Sequence, residues 1–239
     1  MQLLPFFPLN DYTVFMRKEN LIAFEFDGTL YPIKPYDSEQ TLILASVQGK
    51  GKLNHTRARR IIQKDMQGKL LHGEFNRQYL QHMKSVTPSM IQKVASTLVK
   101  QVSPSQFDLL KELGNHADMA IISCGTENLI HAFLNQLGLS AHFFFIRAKE
   151  LEFTTNSAPS LHMHVETPEK KQTILAQLKK DYTRCIALGD GPTDLPMLSE
   201  ADLGLIIDWT GKNHPYPYER YPDFYSACKR CLTYLQSAP

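Results

Sequence analysis

The chain has 239 residues, a formal net charge of +2, 43% hydrophobic residues and 21% charged residues. That balance describes an ordinary globular chain with enough apolar surface for a sizeable core, and its small net charge does not by itself argue for nucleic acid or a membrane. No apolar run approaches the roughly 18 residues of a membrane span, so neither nucleic acid nor a membrane is an expected partner. Residues 1–10 are apolar but carry no basic segment ahead of Leu3, and Pro5 and Pro8 interrupt them, which does not fit a signal peptide. Four cysteines in a chain of this size point to a reducing compartment rather than a disulfide framework, and the expected location is the cytoplasm.

In chain order, residues 21–26 form a short apolar run with one acid inside it, ended by Gly28 and Thr29. A buried parallel strand running into a turn has that signature. Residues 37–102 show no strand pattern. Helical spacing recurs there at 38–47, 56–66, 74–83 and 89–99, with Ser38 and Ser89 at N-cap positions and Pro88 and Pro104 as punctuation. Further apolar runs at 119–122, 143–146, 185–188 and 203–207 alternate with helical patterns at 106–113, 128–137 and 171–179. Residues 151–154 and 161–165, separated by Asn156-Ser157-Ala158-Pro159, predict a β-hairpin outside the main sheet. Residues 208–222, rich in proline and tyrosine, predict an ordered loop before a last helix starting at Asp223. The alternation predicts an α/β core with a mostly parallel sheet flanked by helices, built from 1–34 and 104–239, with 35–103 as an inserted all-helical domain.

Ligands of open α/β sheets bind beyond the carboxyl ends of the strands. Glu25, Asp27, Gly28 and Thr29 follow the first run; Ser123, Cys124, Gly125 and Thr126 follow the second; Gly189, Asp190, Gly191 and Asp194 follow the fourth. Lys171 opens the helix leading to that fourth strand. Clustered carboxylates call for a cation, and hard oxygen ligands in small number favour Mg²⁺. A hydroxyl, backbone N–H groups freed by glycine and an ammonium suit a phosphoryl group. A carboxyl two residues past the first acid is placed to protonate a leaving alkoxide.

With these residues in view, the sequence resembles the haloacid dehalogenase superfamily along nearly its whole length. The family's opening Asp-x-Asp-Gly-Thr after an apolar strand reads here Glu25-Phe26-Asp27-Gly28-Thr29. Its second motif matches Ile121-Ile122-Ser123, and its lysine matches Lys171, with Lys170 the competing register. Its fourth motif is complete as Gly189-Asp190-Gly191-Pro192-Thr193-Asp194. The resemblance implies a Rossmann-like core with a helical cap of the phosphoserine-phosphatase-like branch. It also implies a Mg²⁺-dependent phosphatase acting on a small phosphorylated metabolite through an acyl phosphate. By position, residue 25 would attack phosphorus and bind metal, and Asp27 would be general acid/base and metal ligand through its carbonyl. Ser123, Cys124, Lys171, Gly28 and Thr29 would surround the phosphoryl group. Asp190 would bind the metal and Asp194 would support its water shell.

Three positions depart from the pattern. Glu25 replaces the nucleophilic Asp, and its extra methylene moves the carboxylate by roughly 1.5 Å. Cys124-Gly125 stands where that branch has Gly-Gly, and Lys34 stands where a Glu would meet the amine of phosphoserine, which makes phosphoserine a poor substrate. The second functional reading is a catalytically weakened relative that binds metal and a phosphorylated ligand or partner without turnover. Haloacid dehalogenation is disfavoured, since that chemistry does not need the metal-binding acids. Lys50, Lys52, Arg57, Arg59, Arg60 and Lys64 concentrate positive charge in the helical insertion and read as a solvated helix face, with steering of an anionic substrate as the functional version. Cys228 and Cys231 are expected to face the core, and His162 and His164 to alternate on the hairpin.

Overall fold

β1 (Asn20–Phe24) is buried along its whole length at the centre of a seven-stranded sheet. The computed structural model describes residues 17–155, 157–211 and 215–237; the expectation for residues 1–10 lies outside them. β2 (Ala117–Thr126) and β5 (Arg184–Gly189) flank β1 in parallel, so the strands carrying the first and fourth motifs are neighbours. β3 (Phe145–Glu152) and β4 (Ser160–Met163) continue the sheet beyond β2, and β6 (Leu203–Ile207) and β7 (Glu219–Tyr221) beyond β5. Among the described residues only the β3–β4 pair is antiparallel.

Alternate strand residues feed two cores. Leu21, Ala23, Ala120 and Ile122 pack with α7 (Pro168–Lys179) and α8 (Leu195–Glu200), while Ile22, Phe24, Ile121 and Ile186 face α5 (Leu110–His116), α6 (Glu127–Leu137) and α9 (Phe224–Gln236). Burial on both faces explains the continuous apolar runs of the central strands.

Between β1 and β2 lie α1 (Ser38–Ser46), α2 (Lys52–Met66), α3 (His72–Met83) and α4 (Pro88–Val99), with no strand among them. α1 packs on α4 and α4 on α6, so the helical segment joins the second core. Two caps differ from expectation. Asp37, not Ser38, caps α1 through a capping box with Gln40 (2.7 Å), and Thr87, not Ser89, caps α4 because Pro88 takes the first helical position.

The hairpin is corrected as well. Residues 151–152 end β3 itself, and β4 pairs with it in register (Leu151 opposite Leu161), so the hairpin forms one edge of the main sheet. β2 runs on through Ser123, Cys124 and Gly125 with a register shift against β3, where the sequence suggests a strand ending at 122. The helical pattern at 106–113 divides into a 3₁₀ turn (Pro104–Phe107) and α5, and α7 begins at Pro168, a turn ahead of Lys171. The 208–222 loop contains the unexpected β7. Asp223 caps α9, on which Cys228 and Cys231 are both fully buried.

Candidate active site

The register of β1 sets the site. Phe24 lies opposite Ile121 of β2 and Leu188 of β5, so the residues that follow in all three strands emerge at one edge. Glu25 N–H donates to the Leu188 carbonyl (2.9 Å) and keeps the first turn beside the fourth motif. A cleft of about 270 Å³ opens there, lined by Glu25, Asp27, Cys124, Lys171 and Asp190 and roofed by residues of α1–α3. Of the two lysine registers, Lys171 is 1% exposed and lines the cleft, whereas Lys170 is exposed.

Lys171 is the electrostatic centre. Its ammonium donates to Glu25 Oε2 and to Asp194 Oδ1 (2.7 Å), and all three side chains are almost wholly buried. Burial works against the lysine charge, but Asp194 and Glu25 outweigh it and hold its pKa well above the ordinary value. Ser123 Oγ donates to the other Glu25 oxygen (2.6 Å) and accepts from Gly125 N–H (2.9 Å). Both carboxylate oxygens of Glu25 are therefore engaged by the two groups expected to hold phosphate. Burial pushes the Glu25 carboxyl up to about 7 against the pull of Lys171. Asp194 accepts backbone N–H bonds from Asp190 (2.9 Å) and Gly191 (3.1 Å), so it fixes the loop that carries Asp190.

Asp27 turns toward α1. Ser38 donates to it from both its backbone N–H and its hydroxyl (2.8 Å each), and Tyr31 donates its phenol. Burial raises the Asp27 carboxyl above its usual value, against the hydrogen bonds donated by Tyr31 and Ser38. Asp190 is different: its carboxylate accepts no hydrogen bond among the described residues, and burial with the nearby Asp194 and Glu25 raises its pKa well above normal. A half-buried carboxylate without a donor, with the Glu25 carboxylate near it, is a donor set that fits Mg²⁺, which takes one or two carboxylates and keeps water on its other positions. No three His, Cys, Asp or Glu side chains among the described residues form a metal cluster. Gly28, at φ +73°, brings its backbone against Asp190; a Cβ there would sit 2.1 Å from Asp190 Oδ2. Its carbonyl accepts from Trp209 Nε1 (2.8 Å). Thr29 is fully buried with its hydroxyl unpartnered among the described residues, and it does not line the cleft.

The sequence did not single out the opposite wall. Lys149, 2% exposed on β3, donates to Glu39 Oε2 of α1 (2.6 Å) and Asn76 Oδ1 of α3 (3.0 Å), under the rings of Phe75 and Tyr79. Thr126 donates to the other Glu39 oxygen (2.9 Å) and meets the Tyr79 hydroxyl (2.6 Å). Lys34 lies outside this cleft, in a neighbouring depression. Burial pushes the Cys124 thiol up to about 12, the state of an inert packed side chain rather than a reactive thiolate. His162 and His164 each pair with a different acid, Glu152 (2.9 Å) and Glu150 (3.1 Å).

Comparison with known proteins gives the family and relatives of the same fold. The family of haloacid dehalogenase-like hydrolases matches residues 22–199. Among solved structures, a substrate-bound phosphoserine phosphatase superposes with a TM-score of 0.66 at 19% identity, over 91% of this chain and 99% of its own. A phosphoserine phosphohydrolase-like protein from Francisella tularensis gives 0.65 at 18% identity, over 91% and 99%. A phospho-aspartyl intermediate analogue of phosphoserine phosphatase gives 0.61 at 20% identity, over 80% and 87%. No curated protein matches by sequence. Among the described residues no helix is long and apolar enough to cross a membrane.

Proposed function

We propose that this chain, which belongs to the haloacid dehalogenase-like hydrolase family, is a Mg²⁺-dependent phosphomonoesterase for a small phosphorylated metabolite in the cytoplasm. The observation that carries this reading is Lys171, buried between Glu25 and Asp194 with Ser123 on the same carboxylate. An ammonium and a hydroxyl converging on the carboxylate of the first motif form a receptor for phosphoryl oxygens. Residues 35–103 act as the cap that covers the cleft, and its 270 Å³ suits a small substrate.

Glu25 attacks phosphorus, the P–O bond to the leaving group breaks, and Asp27 gives its proton to the departing alkoxide. The acyl phosphate on Glu25 is then opened by water, whose proton returns to Asp27. Ser123 and Lys171 hold the phosphoryl oxygens, and Cys124 lines the cleft beside them, whereas Gly28 and Thr29 act from behind by holding the turn that carries Asp27. Glu25, Asp190 and the Asp27 carbonyl would hold Mg²⁺, with Asp194 fixing the Asp190 loop. Bound there, the cation offsets the charge of the phosphoryl group and of the clustered carboxylates.

Calorimetry with Mg²⁺, alongside orthophosphate release from a panel of small phosphomonoesters, tests the reading. Wild type is expected to bind Mg²⁺, and Asp190→Asn to lose that binding together with turnover. Absence of Mg²⁺ binding by wild type, with and without a phosphate analogue, overturns it.

A further inference from the structure

On the far side of α2, away from the cleft, a groove of about 660 Å³ runs between α2 and α3, and the two concavities share no lining residue. Every charged residue in its lining is basic: Lys50, Arg57, Arg60 and Lys64, joined by His82. Arg57, Arg60, Ile61 and Lys64 recur at the spacing of a single helix face. Asp65, the next residue, turns the other way: it lines the cleft and accepts from Gln40 Nε2 (2.8 Å). α2 thus separates an acidic aspect from a basic one.

An ordinary solvated helix face intersperses acids with bases, and residues 50–64 contain no acid at all. Arg57, Arg60 and Lys64 make no hydrogen bond or ion pair among the described residues, whereas Lys50 is held by the Ser85 hydroxyl (2.7 Å). Like charges at these spacings repel one another along a helix face. The segment keeps that repulsion, and a bound anion would relieve it. The groove is large enough for a small ligand. Arg57 to Lys64 spans about 10 Å along the axis, the reach of a few linked phosphates, and guanidinium forks match phosphate oxygens in pairs. Arg57, Arg60 and Lys64 span only about 10 Å, shorter than the stripe along which an extended nucleic-acid strand is held.

We propose that this groove is a second binding site, separate from the active site, for a compact polyanion bearing a short chain of phosphates, held by Arg57, Arg60 and Lys64. It does not rest on the phosphatase reading. Inorganic tripolyphosphate and the triphosphate of a nucleotide share this chemistry.

The test is calorimetry on the full chain without divalent cation, titrating inorganic tripolyphosphate, ATP and orthophosphate in separate arms. Tripolyphosphate is expected to bind a single site at least about tenfold more tightly than orthophosphate, and Arg57→Gln/Arg60→Gln to weaken it by about tenfold or more. The melting temperature of that variant should stay close to wild type, since both side chains are exposed. Equal affinity for ATP identifies the phosphate chain alone as the ligand, and higher affinity for ATP adds the nucleoside. Tripolyphosphate binding no tighter than orthophosphate, or unchanged in the variant, overturns the proposal. So does a single-stranded oligonucleotide that binds more tightly than tripolyphosphate.

Discussion

Lys149→Met is expected to destabilise the protein by about 3 kcal/mol, because removing one partner of a buried ion pair strands the other. For a chain of this size that corresponds to a fall of roughly 6–12 °C in melting temperature. Methionine keeps most of the stem that packs under Phe75 and Tyr79, so the loss isolates the ammonium. The Glu39 carboxylate, 9% exposed, would then keep Thr126 as its donor. Burial already raises the Glu39 carboxyl above its usual value, and Lys149 opposes that rise. Without Lys149 the folded-state pKa climbs further above the unfolded one. Between those two values the folded form binds more protons, so the variant regains stability relative to wild type as pH falls through the folded pKa toward about 4.5. Thermal melts across pH 5 to 8 measure this. Lys149→Met/Glu39→Gln is expected to recover most of the loss, since Gln keeps a hydrogen bond with Thr126 and carries no charge. If the double variant melts no higher than Lys149→Met, the ion pair is not what joins β3 to α1 and α3.

Lys149 also marks where the sequence stops speaking. The rule that ligands sit beyond the carboxyl ends of parallel strands located Glu25, Asp27, Ser123 and Asp190, since each follows a sharply bounded apolar run. The third run has no sharp end. Arg147, Ala148, Lys149 and Glu150 continue β3 with charged residues, because the strand passes from the core to the cleft and then to the hairpin edge. A buried lysine reads like a solvated one until its partners are known, and Glu39 and Asn76 lie 110 and 73 residues away. Trp209 is similar: its bond to the Gly28 carbonyl links positions 181 apart. The short β7 escaped because an edge strand containing Glu219 and Arg220 has no apolar run to announce it. The Asp37–Gln40 capping box and the Thr87 cap ahead of Pro88 have local signals in their spacing, yet the expected caps, Ser38 and Ser89, fall one and two residues too late.

The remaining large effect concerns Glu25. Phosphatase activity of the wild type is expected to be low, and Glu25→Asp to raise kcat by about tenfold or more, since a misplacement of ~1 Å can cost ~100-fold in rate. The geometry gives the reason. The longer side chain carries its carboxylate onto Lys171 and Ser123, so in the proposed reaction Glu25 occupies the donors meant for the phosphoryl group. Incoming phosphate must displace those bonds before it can be held for attack. Shortening the side chain by one methylene withdraws the carboxylate by roughly 1.5 Å, freeing both donors while keeping charge and metal affinity. Glu25→Gln is expected to lose Mg²⁺ binding as well as turnover, because a neutral amide is a poorer ligand for a hard cation. Steady-state orthophosphate release from a substrate panel with Mg²⁺ decides the matter. Brisk turnover by wild type, slowed by Glu25→Asp, would mean that the cleft is built around glutamate and that the contacts to Lys171 and Ser123 open readily. An inert Glu25→Asp that still binds Mg²⁺ would move the defect to Cys124, whose side chain lines the cleft one residue before the Gly125 N–H that Ser123 holds. Cys124→Gly in the Glu25→Asp background would then be the variant that restores turnover.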